Sequence, residues 1–180
     1  MKPTGPLMVE HRLIEKMIKV MNNKISEFEK NGEVSPLFIN TVVDFINMYA
    51  DKTHHGKEED ILFHRCSKKS LTEDDAIIMN ELIEEHKLGR KIADQLVEAN
   101  NEYMNGKGNR DKIIKQLKEF TAFYPVHIKK EDNHFYPNSE KYFSRQELQN
   151  MLEEFWDFDK AMIHKKYESV VDDLLKNKTK

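Results

Sequence analysis

The sequence predicts an all-α protein, an antiparallel up-and-down four-helix bundle with an additional C-terminal helix. Charged residues make up 34% and apolar residues 38% of its 180 positions, with only 6 Gly and 5 Pro. Long amphipathic helices with solvated outer faces need that composition. Apolar residues also recur at three- and four-residue spacing over five stretches, the period of a helix with one buried face. The breaks between stretches are short, which favours antiparallel neighbours. One core suffices at this length, so residues 1–180 read as a single domain, with the core bundle at about 8–137 and the last helix at about 144–175.

The first helix is predicted from about Met8 to Lys30 on the stripe Leu13, Met17, Ile18, Met21, Ile25 and Phe28, and Asn31-Gly32 should stop it. Ser35-Pro36 opens the second as cap and first turn, and Phe38, Val42, Phe45, Ile46 and Tyr49 carry it to about Arg65. Acidic residues after Thr72 favour the positive end of a third helix, which carries Ile78, Leu82, His86, Ile92, Leu96 and Ala99 as far as Asn105-Gly106. The fourth runs from about Asn109 to Tyr136 and should end at Pro137. Pro125 inside it lacks an N–H and predicts a kink two residues before His127. Ser144 and Glu147 form a capping box ahead of Leu148, Leu152, Phe155, Phe158, Ile163, Val170 and Leu174, and residues 176–180 should fray.

Several function classes are disfavoured. The net charge of −3 is small and Lys alternates with Glu, so the basic footprint of a nucleic-acid binder is missing. No apolar run is long enough to span a membrane and no signal peptide is evident, which predicts a cytoplasmic protein. Cys66 is the single cysteine and reads as an ordinary, partly buried thiol, so any metal must rest on histidine and carboxylate.

Such residues occur in a short internal repeat. His55-Gly-Lys-Glu58-Glu59-Asp60 in the second helix aligns on His127-Ile-Lys-Lys130-Glu131-Asp132 in the fourth, each followed by Phe three residues on. Residues four apart lie on one helix face, about 40° apart and one turn up, so each His/Glu pair can serve one centre. Imidazole nitrogen with carboxylate oxygen suits iron or manganese better than a structural zinc site. His11 and His86 stand among apolar positions of the other two helices. The predicted ligand set is His11, His55, Glu59, His86, His127 and Glu131. His54 is expected beside the site or on the surface, His134 competes as a ligand, and His64 and His164 are expected to be exposed.

The stretches EHRLIEKM, HHGKEEDILF, EEHKLGRKIAD and HIKKEDNHFYP resemble the hemerythrin-like (HHE) domain over about Met8 to Pro137, and the last helix is similar to a common extension of it. That resemblance implies two iron ions, oxo- or hydroxo-bridged, with manganese as an alternative, on the six residues named, the two glutamates bridging. Oxygen-carrying members have a second histidine in the third helix four residues after the first, where this chain has Arg90. Either a coordination position is open, or another group such as Glu58, His134 or Tyr124 takes it. Tyr124 also reads as a hydrogen-bond donor or a core aromatic, and Arg90 as a surface ion-pair partner. Gly89 should let helices approach closely.

The function expected is binding of, or reaction with, O2, peroxide or nitric oxide, including weak oxidase or peroxidase activity. The alternative is an iron-donating protein of iron–sulfur cluster repair, or an iron or redox sensor. It is lowered because the cysteine-containing N-terminal region of such relatives is not seen before His11. Oligomeric state is not readable, although Phe155, Trp156 and Phe158 could serve a dimer.

Overall fold

Five long helical segments and no strand make up the residues described by the structure, a computed structural model. The description covers residues 2–177, with side chains of the last helix described to Met162 and again at His164 and Lys166. Helix α1, Thr4–Asn31, buries Leu7, His11, Ile14, Ile18, Met21, Ile25 and Phe28, one residue every three or four. It starts a turn earlier than predicted because Thr4 is itself buried and donates its hydroxyl hydrogen to Glu140. Gly32 closes it at φ +81°, a left-handed conformation that costs glycine little.

Helix α2 is capped by Ser35, whose hydroxyl accepts the Phe38 N–H. It is α-helical over Pro36–Asp44, π-helical over Phe45–His55 and Glu58–Phe63, and ends in an α-turn at His64–Cys66. Helix α3, Glu73–Met104, is capped by Thr72. Helix α4 is capped by Asn109 and continuous over Arg110–Lys130, through Pro125. It then widens into a π-helical segment at Glu131–Phe135.

The stop predicted at Pro137 does not occur, and the chain stays helical through Tyr136–Ser139 and Glu140–Tyr142. Proline is tolerated there because it falls in the first turn after the π segment, where the hydrogen-bond pattern is changing. Helix α5 spans Arg145–Asn177. The Ser144–Glu147 box forms in both directions, and the Lys69 and Ser144 bonds pull the Glu147 pKa down to about 2. Of the predicted frayed tail, residues 178–180 lie outside the described residues, as do the side chains of Ile163, Val170 and Leu174.

Helix α4 packs against α1 and α3, α2 against α3, and α5 against α2. Two apolar clusters result. One gathers Ile14 to Phe28, Ile39 to Ala50, Ile92 to Ala99 and Ile113 to Ile128, and the other Leu7, Ile61 to Cys66, Met79, Leu82, Phe135, Tyr136 and the α5 residues Met151 and Phe155. On each of α1 to α4 a histidine or glutamate falls between the stretch in one cluster and the stretch in the other. Cys66 is fully buried, and burial pushes its thiol up to about 12. Among the described residues no helix is long and apolar enough to cross a membrane.

Candidate metal centre

The layer between the clusters holds His11, His54, His55, Glu58, His86, His127 and Glu131, each almost fully buried. Burying two carboxylates and five imidazoles in an apolar bundle is costly unless their charges and lone pairs meet partners. They converge in two groups whose potential ligand atoms lie within 4.8 Å of one another: His11, His54, Glu58 and Glu131, and beside them His55, His86 and His127. Glu131 faces both, with Oε2 at 3.1 Å from His11 Nε2 and Oε1 at 3.3 Å from His127 Nε2 and 3.6 Å from His86 Nε2. Glu58 Oε2 lies 3.7 Å from His54 Nε2 and 3.4 Å from His86 Nε2.

The outer nitrogens explain why the inner ones are free. His11 Nδ1 donates to Asp132 at 2.7 Å, His54 Nδ1 to Glu10 at 2.9 Å, His86 Nδ1 to Glu59 at 2.6 Å and His127 Nδ1 to Glu85 at 2.8 Å. A carboxylate only accepts, so each bond places a proton on Nδ1 and turns Nε2 inward, where it can lose its own proton to an entering cation. Of eight buried side-chain atoms with no hydrogen-bond partner among the described residues, six are here: Nε2 of His54, His86 and His127, Glu58 Oε2 and both Glu131 oxygens. Native interiors seldom leave such atoms unpaired. A donor set of imidazole nitrogens and carboxylate oxygens, oriented from behind and unpaired in front, fits a metal cation.

His55 differs in how its outer nitrogen is held and how closely its inner one is engaged. Its Nε2 accepts the Tyr124 hydroxyl at 2.7 Å, where His11 Nε2 lies 3.4 Å from the Tyr136 hydroxyl, and its Nδ1 lies 3.3 Å from Asp51 of its own helix. Burial and the neighbouring His86 charge hold its pKa well below the usual value. Burial also pushes the Tyr124 and Tyr136 phenols well up, so both stay O–H donors, Tyr136 to Glu58 Oε1 at 2.5 Å.

Several predicted residues therefore sit differently from expectation. Glu59 enters neither group: it is half-exposed and shared between His86 Nδ1 and Arg90, at 2.6 and 2.7 Å. Glu58 stands where Glu59 was expected, and His54 is buried at the centre instead of beside it. The cause is register. His54/Glu58 and His55/Glu59 are overlapping pairs with the same spacing, and spacing alone does not say which faces inward. His134 is exposed and outside both groups, as are His64 and His164 on the surface. Arg90 pairs with Asp51 as well as Glu59 and so touches the site through its carboxylates. Gly89 meets Phe123 only at ordinary contact distance, 3.8 Å from a built Cβ, so its place involves no unusually close approach.

A signal for this register does exist in the chain. Glu10-His11-Arg12-Leu13 and Glu85-His86-Lys87-Leu88 are one motif used twice. Shifting the longer repeat by one residue aligns His54-x-x-Lys57-Glu58-Glu59 with His127-x-x-Lys130-Glu131-Asp132. In that register three pairs of contacts are matched: His54 and His127 donate to the glutamate before the histidine of a neighbouring helix, Glu59 and Asp132 accept from His86 and His11, and Lys57 and Lys130 pair with Glu10 and Glu85. Phe63 and Tyr136 stack at 5.7 and 5.6 Å on His86 and His11. The centre is built twice over, with approximate two-fold correspondence of α1 with α3 and α2 with α4.

Residues 3–139 match the family model described as the hemerythrin HHE cation-binding domain, which takes in the whole centre. The chain belongs to the hemerythrin HHE cation-binding family. No significant match was found among curated proteins or among solved structures. Cation binding is thus the property of the family, and the His/Glu groups of this member are compatible with it. Helix α5 lies outside the matched residues.

The same geometry predicts how uptake depends on pH. Burial opposes a charge on His11, but Asp132 and Glu131 outweigh it and raise its pKa to about 10. His86 is likewise raised against burial by Glu131, Glu58 and Glu59. Without a cation these histidines hold protons that an entering metal must displace, so apparent affinity rises with pH, by about tenfold per unit for each proton displaced, between about pH 6 and 9. Ferrous ion added to lightly buffered, metal-free protein should acidify the solution in step with binding. Uptake without proton release would contradict the assignment.

Proposed function

We propose that the chain is a non-haem di-iron protein that binds or reacts with O2, peroxide or nitric oxide, its ligands being His11, His54, Glu58, His86, His127 and Glu131. The observation that carries this reading is the set of six unpaired, buried donor atoms on His54, Glu58, His86, His127 and Glu131, with the Nδ1 of each of the four ligand histidines held from outside by a carboxylate. Glu131, with one oxygen toward His11 and the other toward His127 and His86, suits a bridging role, and Glu58 is its counterpart in the repeat. Oxygen and nitrogen donors without thiolate favour iron, then manganese. Iron bound there supplies electrons to a small molecule; members of this family bind small ligands such as O2.

The protein's own groups prepare for that molecule. His55 and Tyr124 form a hydrogen-bonded pair beside His86 and His127, the half where an oxygen carrier would place another histidine. Tyr124 O–H can turn from His55 to a polar atom bound at that half, and apolar Phe63 and Phe123, stacked on His86 and His127, exclude bulk water. A cleft of about 440 Å³ between α2 and α5 ends on Arg90 and on the two carboxylates it pairs with, Asp51, which touches His55, and Glu59, which touches His86, and is the entry side. We also propose a single cytoplasmic domain with α1 to α4 as an antiparallel up-and-down bundle. Its support is that α1 and α3 meet the two apolar clusters in one order along the chain, and α2 and α4 in the reverse.

The test is spectroscopic. Protein reconstituted anaerobically with ferrous iron should hold two ions per chain and develop a near-ultraviolet charge-transfer band when air is admitted. Two bound irons with an unchanged spectrum after O2, H2O2 and NO would overturn the function. Fewer than one metal per chain would overturn the centre.

A further inference from the structure

The two-fold correspondence of the centre breaks at one buried lysine. Lys130, paired with Glu85 and Glu81 on α3, keeps 23% of its side chain exposed, whereas Lys57, its counterpart, keeps 0%. The difference is α5. Its Asp159 lies 2.6 Å from Lys57 Nζ, and the same ammonium pairs with Glu10, whose other oxygen accepts His54 Nδ1 at 2.9 Å. The docking is specific: a Cβ built on Gly56 would lie 2.7 Å from the Phe158 ring, so glycine leaves the room that α5 uses next to Lys57.

We propose that α5, outside the residues shared with the family, positions one ligand of the centre, Asp159 acting through Lys57 and Glu10 on His54. This rests on the di-iron reading. A buried lysine needs its charge met, and a carboxylate behind a ligating imidazole sets both ring orientation and donor strength. Asp159 shares Lys57 with Glu10 and thereby decides how fully Glu10 can accept from His54. In the opposite half the second carboxylate on the lysine, Glu81, comes from the same helix as Glu85 and is half-exposed, so no separate helix enters the relay there. The two ions are thus inequivalent by construction, the His54 side being governed by α5.

The experiment uses the full chain reconstituted with iron-57 and compares Asp159→Asn, Asp159→Glu, Glu10→Gln, the Asp159→Asn/Glu10→Gln double variant and Glu81→Gln. Expected for Asp159→Asn is two irons at saturation, one of them released to a chelator about tenfold more readily, and displacement of one of the two Mössbauer doublets. Glu10→Gln should displace the same doublet, the double variant should add nothing further because the residues act in series, Asp159→Glu should restore the wild-type spectrum, and Glu81→Gln should leave that doublet unmoved. Equal weakening of both ions, additive effects, or an unmoved spectrum would overturn the relay alone. If Asp159→Asn does not fold, Glu10→Gln and Asp159→Glu still decide it, since a relay requires the first to move one doublet and the second to move neither. Wild-type protein holding fewer than two irons would overturn the di-iron reading, and the relay with it.

Discussion

Glu58→Ala protein, reconstituted with ferrous iron, should hold no more than one ion per chain, while Glu59→Ala should still hold two. The neighbouring glutamates have similar sequence surroundings and opposite surroundings in space. Glu58 is wholly buried; burial alone would raise its pKa, but His54 and His86 reverse that and hold it well below the usual carboxylate range. Its Oε2 is unpaired and faces histidines of α2 and α3. Removing it would take away a proposed bridging carboxylate and leave two imidazoles with no charge to balance a cation. Glu59 lies behind His86 and shares its oxygen with Arg90. Its loss frees the imidazole to turn, and such outer partners typically cost about 10- to 100-fold in metal affinity without abolishing binding. Glu131→Ala should behave as Glu58→Ala. Metal analysis and chelator competition on the three variants check the register directly, and two ions in Glu58→Ala with fewer in Glu59→Ala would restore the pairing of His55 with Glu59.

That contrast marks the limit of what periodicity can tell. The all-helical class, the cap at Ser35, the helix starts near Thr72 and Asn109 and the stop at Gly32 were readable because each depends on a local group with one physical job, such as an oxygen for an orphan N–H or a residue free to take positive φ. The convergence of His11, His55, His86, His127 and Glu131 was also readable, His11 and His86 because each stands among apolar positions of its helix and the others because a matching His/Glu spacing recurs on two helices. On α2 the sequence offers two histidines in a row and two glutamates in a row. The choice between them depends on helix rotation, and the π-helical turns over Phe45–His55 and Glu58–Phe63 alter that rotation without a mark in apolar spacing. Partners from distant segments make the decision: Glu10 and Lys57 hold His54, while Arg90 draws Glu59 aside. Asp159 was likewise out of reach, since nothing local ties an aspartate on α5 to a lysine on α2.

Removing metal should lower the melting temperature by about 15 to 30 °C, the largest stability effect expected for this chain. Ligands that bind only the folded state stabilise it by about 4 kcal/mol each when present at a thousand times their dissociation constant. For a chain of this size each kcal/mol moves the midpoint by about 2 to 4 °C. Two ions reach the range given. The metal-free state carries a further burden, because Glu131 and Glu58 repel each other in the same buried layer and rely on protons held by His11 and His86 to offset the charge. A cation replaces those protons with stronger, directional bonds to the unpaired Nε2 and carboxylate atoms. The apolar clusters on either side keep the helices together without it, so the metal-free chain should remain helical by circular dichroism while melting early. Anaerobic thermal scans with and without a chelator measure the shift. A difference below about 5 °C with both ions bound would mean that the unfolded chain binds iron nearly as well as the folded one, which four histidines scattered from His11 to His127 cannot do without the bundle to gather them.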